Sequence, residues 1–354
     1  RSHGRSETQT DHSHIRSGCR HKHPSPLNGA FLFGIRSGPT TVSPTTTHMR
    51  FATLLCVLSF SIASLHAQPT FTEVQKLLAS DAQAFDQFGN SVSISGDRAV
   101  VGARGESNRI GAAYVYERNG AGVWQEVQKL VASDAQAFDF YGWSVSIAGD
   151  RLVVGAPGED AGGTNAGAAY VYERDGAGVW QEVQKLIASD AEPDDAFGES
   201  VSISGDRAIV GGPGEDAGGG EAGAAYVYER NGAGVWQEVQ KLVASDAQAI
   251  DLFGNSVSIS GDRAVVGAWL EDAGGSDAGA AYVYERDGAG VWQEVQKLVA
   301  SDVQGGDNFG KSVSISGDRI LVGAGLEDAG GANAGAAYVY ERDGAGVWQE
   351  VQKL

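Results

Sequence analysis

The sequence predicts an all-β chain, a β-propeller built from four-stranded blades about 56 residues long. Three observations predict it. The string Trp-Gln-Glu-Val-Gln-Lys-Leu recurs with its tryptophans at Trp124, Trp180, Trp236, Trp292 and Trp348, each 56 residues after the last. A fixed period of this size marks an array whose units cannot bury their apolar faces alone. Within each unit, small polar and β-branched residues alternate with the period of a strand. The 51 glycines fall at regular places inside the pattern and leave no helical apolar stripe.

The first unit shows the elements in order. Phe88-Gly89 opens it, and Ser91 to Ser95 alternates strictly, which predicts the inner strand. Gly96-Asp97 is a two-residue hairpin turn, since both residues tolerate positive φ. Ala99 to Ala103 is the return strand. A Gly-rich loop leads to the third strand, Ala112 to Arg118. Asn119-Gly120 turns the chain into a fourth, more polar strand, Val123 to Val131, as suits an outer edge. Four short antiparallel strands per unit is the pattern of a propeller blade. Blades stack face to face, so the inner strand is expected to be buried on both sides, with serines where neighbours approach closely.

Two dipeptides repeat with the period. Phe88-Gly89 matches Tyr141-Gly142, Phe197-Gly198, Phe253-Gly254 and Phe309-Gly310. Gly102-Ala103 matches Gly155-Ala156-Pro157, Gly211-Gly212-Pro213, Gly267-Ala268 and Gly323-Ala324. On these residues the chain resembles the FG-GAP repeats, the blades of the integrin α-chain propeller and of many bacterial surface proteins. The resemblance covers residues 71–354, with repeats at about 71–123, 124–179, 180–235, 236–291 and 292–347 and a partial copy at 348–354. It implies a binding or adhesion module. It also implies a ring of seven blades, so five complete blades are expected to belong to a larger ring, with further repeats past Leu354. If the gene stops there, a five-bladed ring is the expectation, with Phe71 to Leu78 and Trp348 to Leu354 competing for one edge.

The N-terminal region reads differently. Met49, Arg50 and the apolar run Phe51 to Leu65, with the small residue Ala67 before the repeats, have the layout of a secretory signal peptide over 49–67. The run is short for a membrane span, and no transmembrane segment is expected in the mature chain. Residues 1–48 read as an upstream or disordered leader. All seven His and both Cys precede residue 68. This removes Ser-His-Asp and Cys-His catalysis, His or Cys zinc sites and disulfides from the mature chain. Residues 1–67 hold 7 of the 26 basic and 2 of the 45 acidic residues, which leaves 19 against 43 and a net charge of −24 in residues 68–354. Nucleic acid is a poor partner for that surface.

Two acidic loops repeat. One carries Asp81 and Asp86, recurring at Asp134 and Asp139, Asp190 and Asp195, Asp246 and Asp251, Asp302 and Asp307. The other carries Glu159-Asp160, Glu215-Asp216, Glu271-Asp272 and Glu327-Asp328, and is shortened to Glu106-Ser107 in the first repeat. Such carboxylates could supply oxygen ligands to Ca²⁺, the one cofactor the sequence suggests. Integrin-type FG-GAP repeats hold Ca²⁺ through an Asp-x-Asp-x-Asp-Gly loop, which is missing here, so those ligands do not carry over. The competing reading, which the residues favour, is that these Asp close Asx turns.

Catalysis finds little support, because an active site in a propeller should make one repeat deviate, whereas the carboxylate pairs recur in every unit. The deviations are few: Trp143, Pro193-Asp194-Asp195, Glu221, Trp269, Asp277 and Lys311. Trp143 and Lys311 share a repeat position with Asn90, Glu199 and Asn255, which reads as an exposed, tolerant position. Trp269 either packs over its own loop or stacks on a sugar ring. The Gly-Asp hairpins are identical, so their face discriminates poorly between ligands. The Gly-rich and Asp-rich loops are expected on the opposite face, where a ligand would meet Trp269, Glu221 and Asp277. The favoured function is a secreted or cell-surface, non-catalytic binding module for an extracellular protein or glycan. The runners-up are a lectin with one glycan site per blade and the propeller portion of a carbohydrate-active enzyme.

Overall fold

The computed structural model describes residues 72–354. The leader at 1–48, the signal peptide at 49–67 and Phe71 lie outside the described residues. Twenty strands form five four-stranded antiparallel sheets, each ordered as the chain runs. The first holds β1 (Val92–Ser95), β2 (Arg98–Ala103), β3 (Ala112–Arg118) and β4 (Trp124–Leu130). The second holds β5 (Ser144–Ala148), β6 (Arg151–Ala156), β7 (Ala168–Arg174) and β8 (Trp180–Leu186). The third holds β9 (Ser200–Ser204), β10 (Arg207–Gly212), β11 (Ala224–Arg230) and β12 (Trp236–Leu242). The fourth holds β13 (Ser256–Ser260), β14 (Arg263–Ala268), β15 (Ala280–Arg286) and β16 (Trp292–Leu298). The fifth holds β17 (Phe309–Ser316), β18 (Arg319–Ala324), β19 (Ala336–Arg342) and β20 (Trp348–Lys353). A repeat phased from Trp124 to Val179 therefore gives its outer strand to one blade and three strands to the next.

The core lies between blades. Phe197 is fully buried and meets Tyr226 and Tyr228 edge-on, with ring centroids 5.4 and 6.1 Å apart. Gly198 beside it has φ +94, which a side chain would strain. Its carbonyl oxygen lies so close to Gly155 of β6 that a Cβ there would overlap it. The two repeated dipeptides thus face each other across the blade interface. The serines do more than save space. Val145, Ile147 and Gly149 donate their backbone N–H groups to the hydroxyls of Ser91, Ser93 and Ser95 at 2.9, 3.1 and 3.0 Å. The inner strand is an edge strand, and the preceding blade satisfies its free donors.

Two further clasps recur further out. Gln184 donates through Nε2 to the Trp236 carbonyl at 2.7 Å and accepts from the Trp236 N–H at 2.9 Å. On the hairpin face, Glu173 sits between Arg151 and Arg230, and Glu229 between Arg207 and Arg286. Glu117 and Glu285 repeat the arrangement, so a ladder of ion pairs runs from the first blade to the fifth.

The ends of the array depart from the sequence reading. Val92 and Ile94 of β1 are 68% and 66% exposed, whereas Val145 and Ile147 of β5 are 6% and 5% exposed. At the other end Leu321 is 42% exposed, while its counterparts Val153, Ile209 and Val265 are fully buried. The inner strand is therefore covered on both faces in the second to fourth blades only. Among the described residues no hydrogen bond or ion pair joins the first blade to the fifth. Residues 72–78, read as an outer strand, form no strand, for they have no third strand beside them to pair with. Gln75 nevertheless clasps the Trp124 backbone as Gln184 clasps Trp236, at 2.8 and 2.9 Å. Among the described residues no helix is long and apolar enough to cross a membrane.

Replacing Gln184 by Ala removes two hydrogen bonds and leaves the Trp236 N–H and carbonyl without partners. Urea unfolding should report a loss of about 1–3 kcal/mol, with Gln75→Ala, at the half-uncovered end, costing less.

Candidate functional site

Hydrogen bonds between loops define two faces. The Arg174 N–H donates to the Asp150 carbonyl at 2.9 Å, tying one hairpin of a blade to the other. On the opposite face Gly158 donates to Asp139 at 3.2 Å, and Ala196 to Asn165 of the preceding blade at 3.1 Å. The loops after the second and fourth strands therefore gather together, as the sequence predicts.

Most acidic residues there are engaged within the chain. Asp134 accepts from Tyr170 Oη and from Lys185 Nζ, both at 2.8 Å, and Lys185 also meets Glu159 at 2.6 Å. Burial raises the Asp134 carboxyl, but the bonds from Lys185 and Tyr170 together outweigh it and hold the group below the usual range. The same set recurs as Asp190, Tyr226, Lys241 and Glu215, and as Asp246, Tyr282, Lys297 and Glu271. Glu327 pairs with Lys353 and Glu106 with Lys129. Asp160, Asp216, Asp272 and Asp328 each accept the N–H five residues on, from Asn165, Glu221, Asp277 and Asn333. They close their own loops, through a bond five residues long rather than the two-residue bond of an Asx turn. Glu221 and Asp277 are exposed at φ 56 and 55. The structure joins Asp277 to Trp269, since Asn308 Nδ2 donates to both carbonyls at 3.1 and 3.4 Å. Glu221 sits in the equivalent loop one blade earlier and accepts from the Leu252 N–H through its carbonyl.

Trp269 is half-buried rather than an open platform, and its indole N–H is buried without a partner. Lys311 Nζ lies over its ring, 3.5 Å from the centroid. The reverse arrangement occurs at the first blade boundary, where Arg104 Cζ lies 4.0 Å from the Trp143 centroid. Both pairs use the same two repeat positions, one after the second strand and one before the next inner strand, with the cation and the ring exchanged.

The position before the inner strand varies between repeats: Asn90, Trp143, Glu199, Asn255 and Lys311. The sequence reads it as exposed and tolerant, which holds for the exposure of Asn90 and Lys311 and not for the other three. Trp143, Glu199 and Asn255 are half-buried, and neighbours touch. Asn90 Nδ2 donates to the Trp143 carbonyl at 2.8 Å, and Asn255 Nδ2 to Glu199 Oε1 at 3.2 Å. Burial pushes the Glu199 carboxyl up, against the Asn255 bond and the charges of Lys311 and Arg104. Those charges come from the fifth and first blades and act on a residue of the third. Neighbouring members of this position therefore meet on the loop face, Asn90 with Trp143 and Asn255 with Glu199. Sequence reasoning groups them by position but does not show that neighbours touch. Inner strands packed side by side were the signal for it.

The repeat now has its physical explanation: an aromatic plug, a glycine turn, and a glycine in the facing strand. The family model described as the FG-GAP repeat matches residues 71–116, 124–172, 180–228, 236–284 and 292–340. The chain belongs to the FG-GAP repeat family. Among curated proteins no sequence matches it. A solved structural-genomics protein from Lactobacillus plantarum is similar in fold, at TM-score 0.50 and 14% identity over 75% of this chain and 70% of that one. The periplasmic gluconolactonase of Pseudomonas aeruginosa is similar at TM-score 0.49 and 17% identity, over 75% of this chain and 72% of that one.

Two outcomes follow for this FG-GAP array. With each loop Glu paired to a Lys and each following Asp closing its own loop, Ca²⁺ or a chelator should leave the melting temperature unchanged. A site filled at a hundredfold excess over its Kd would add about 2.7 kcal/mol, which a melt would register. Glu199 holds its proton more tightly folded than unfolded. Its contribution is complete below the unfolded pKa and is lost as pH rises through the folded one. Glu199→Gln, neutral at every pH, should therefore gain in melting temperature over the parent at pH 7, and the gap should close below about pH 4.

Proposed function

We propose that this FG-GAP array is a secreted or cell-surface binding module, without catalysis of its own, that takes an extracellular protein or glycan on its loop face. One observation carries the reading. The position before the inner strand varies between repeats, as Asn90, Trp143, Glu199, Asn255 and Lys311, and neighbouring members touch on the loop face, Asn90 with Trp143 and Asn255 with Glu199. Rigid frames place function on the loops that vary. The repeated carboxylates are taken by Lys and Tyr of the same chain, which favours one site per chain over one per blade. Export is inferred from the signal-peptide pattern at 49–67. Closure by further blades of the same kind, as in a seven-bladed ring, fits the uncovered faces, which carry the groups used at the internal interfaces.

The test starts from a glycan array and a panel of extracellular proteins, with hits titrated by calorimetry against the whole chain. One site per chain is expected. Trp143→Ala and Trp269→Ala should each weaken binding about tenfold, on the order expected of a buried aromatic anchor, with melting little changed. Five equal sites, or binding indifferent to both changes, would overturn the reading.

A further inference from the structure

Charge pairing within the array singles out one pocket. Among the described residues every Lys and Arg forms an ion pair except Lys76, Arg104, Arg109 and Lys311. Carboxylates are not scarce, for acidic residues outnumber basic ones by 43 to 19 in residues 68–354. Three of these four cations lie on the loop face over aromatic rings instead. Arg104 covers Trp143, Lys311 covers Trp269, and Arg109 lies 5.7 and 5.8 Å from the ring centroids of Phe138 and Phe140. A ring holds a cation in place without consuming its hydrogen-bond donors.

Arg104 and Arg109 line the same pocket, of about 180 Å³, together with Gln87, Gly105, Phe140 and Trp143. It exists because the first blade deviates. Its loop Arg104–Gly111 is three residues shorter than Pro157–Gly167 of the second blade. The short loop turns through three successive left-handed residues, Ser107, Asn108 and Arg109, at φ 48, 62 and 65. Such conformations are costly for residues other than glycine and gather where a loop carries function. Gln87 Oε1 accepts from Arg104 Nε at 2.6 Å and fixes the guanidinium plane. Among the described residues the terminal nitrogens of both arginines donate to no acceptor.

We infer that this pocket binds an acidic saccharide, holding the carboxylate of one uronate ring between Arg104 and Arg109. The inference rests on the reading of the loop face as a ligand surface. Guanidinium forks match carboxylates in two parallel hydrogen bonds. Phe140 and Trp143 offer apolar walls to the C–H face of the sugar. The volume lies below the ~300 Å³ at which pockets for larger ligands begin, and leaves room for one ring. A neutral sugar would cover two guanidiniums without supplying the anion they lack.

The test is calorimetric titration of the whole chain with a galacturonic acid trimer, a neutral glucose trimer and inorganic sulfate. The uronate should bind one to one, more weakly at high salt, and the neutral trimer should not bind. Arg104→Gln and Arg109→Gln should each weaken uronate binding about tenfold or more, the scale of a lost charged hydrogen bond. Lys76→Gln, which removes an unpaired cation outside the pocket, should change nothing. Melting curves check that each variant folds. Absence of saturable uronate binding overturns the inference, as does binding that both arginine variants leave intact. Equal affinity for the neutral trimer removes the acidic specificity and overturns it too. Sulfate binding as tightly and competing fully leaves an anion site with no sugar, with the same result. If uronate fails while another array hit depends on Trp143 or Trp269, the binding-module reading stands and this inference alone falls.

Discussion

Blade stacking depends on a close approach of backbone to backbone, between Gly155 of one blade and the Gly198 carbonyl of the next. It recurs at Gly102 with Gly142, Gly211 with Gly254, and Gly267 with Gly310. This spacing sets how near neighbouring inner strands lie. Only at that spacing can Ser91, Ser93 and Ser95 reach the edge N–H groups of β5 and the turn that follows it. Only there does Phe197 fill the gap against Tyr226 without leaving a void. A single methyl group at Gly155 would push the adjoining blades apart along their whole length. The cost would fall on the interface rather than on either sheet, as in other arrays stabilised between neighbours.

The two faces use charge in opposite ways. On the hairpin face the ladder through Glu117, Glu173, Glu229 and Glu285 takes in an arginine from every blade. Each pair is about a quarter exposed and individually weak, but a shared carboxylate makes them a network. On the loop face the same accounting holds for the repeated Lys185 and its counterparts, and it fails for Arg104, Arg109 and Lys311. A cation left over where every repeated one is paired is informative because the rest of the chain is so regular.

The strands, their order and the grouping of the loops were legible in the sequence. Each rests on local pattern: alternation at Ser91 to Ser95, turn chemistry at Gly96-Asp97, and fixed spacing. The closure at Asp160 is local too, but its donor lies five residues on, at Asn165, where an Asx turn takes one two residues on. What was hidden depends on residues about one repeat away. The carboxylate of Asp134 looked free because Lys185 lies 51 residues on. Trp143 and Lys311 read as interchangeable because nothing local shows that equivalent positions of neighbouring blades touch. A shortened loop reads as a loss, and Arg109 stands out only beside Phe138 and Phe140 of the next blade.

The near-identity of the blades has a consequence for how the chain finds its fold. Every outer strand is the same heptapeptide, and every third strand it pairs with is Ala-Ala-Tyr-Val-Tyr-Glu-Arg. An outer strand therefore fits its neighbour's partner as well as its own, and a blade skipped or exchanged between molecules would bury almost the same surface. Repeat proteins misassemble by such swaps. Short hairpins bias the correct pairing by proximity, but side-chain recognition adds nearly nothing within a sheet. Discrimination falls to the contacts that are not repeated, among them Arg104 on Trp143, Asn255 on Glu199 and Lys311 on Trp269. These form only when the blades stand in their proper order, so the residues that set the loop face apart also act as the array's proofreading marks.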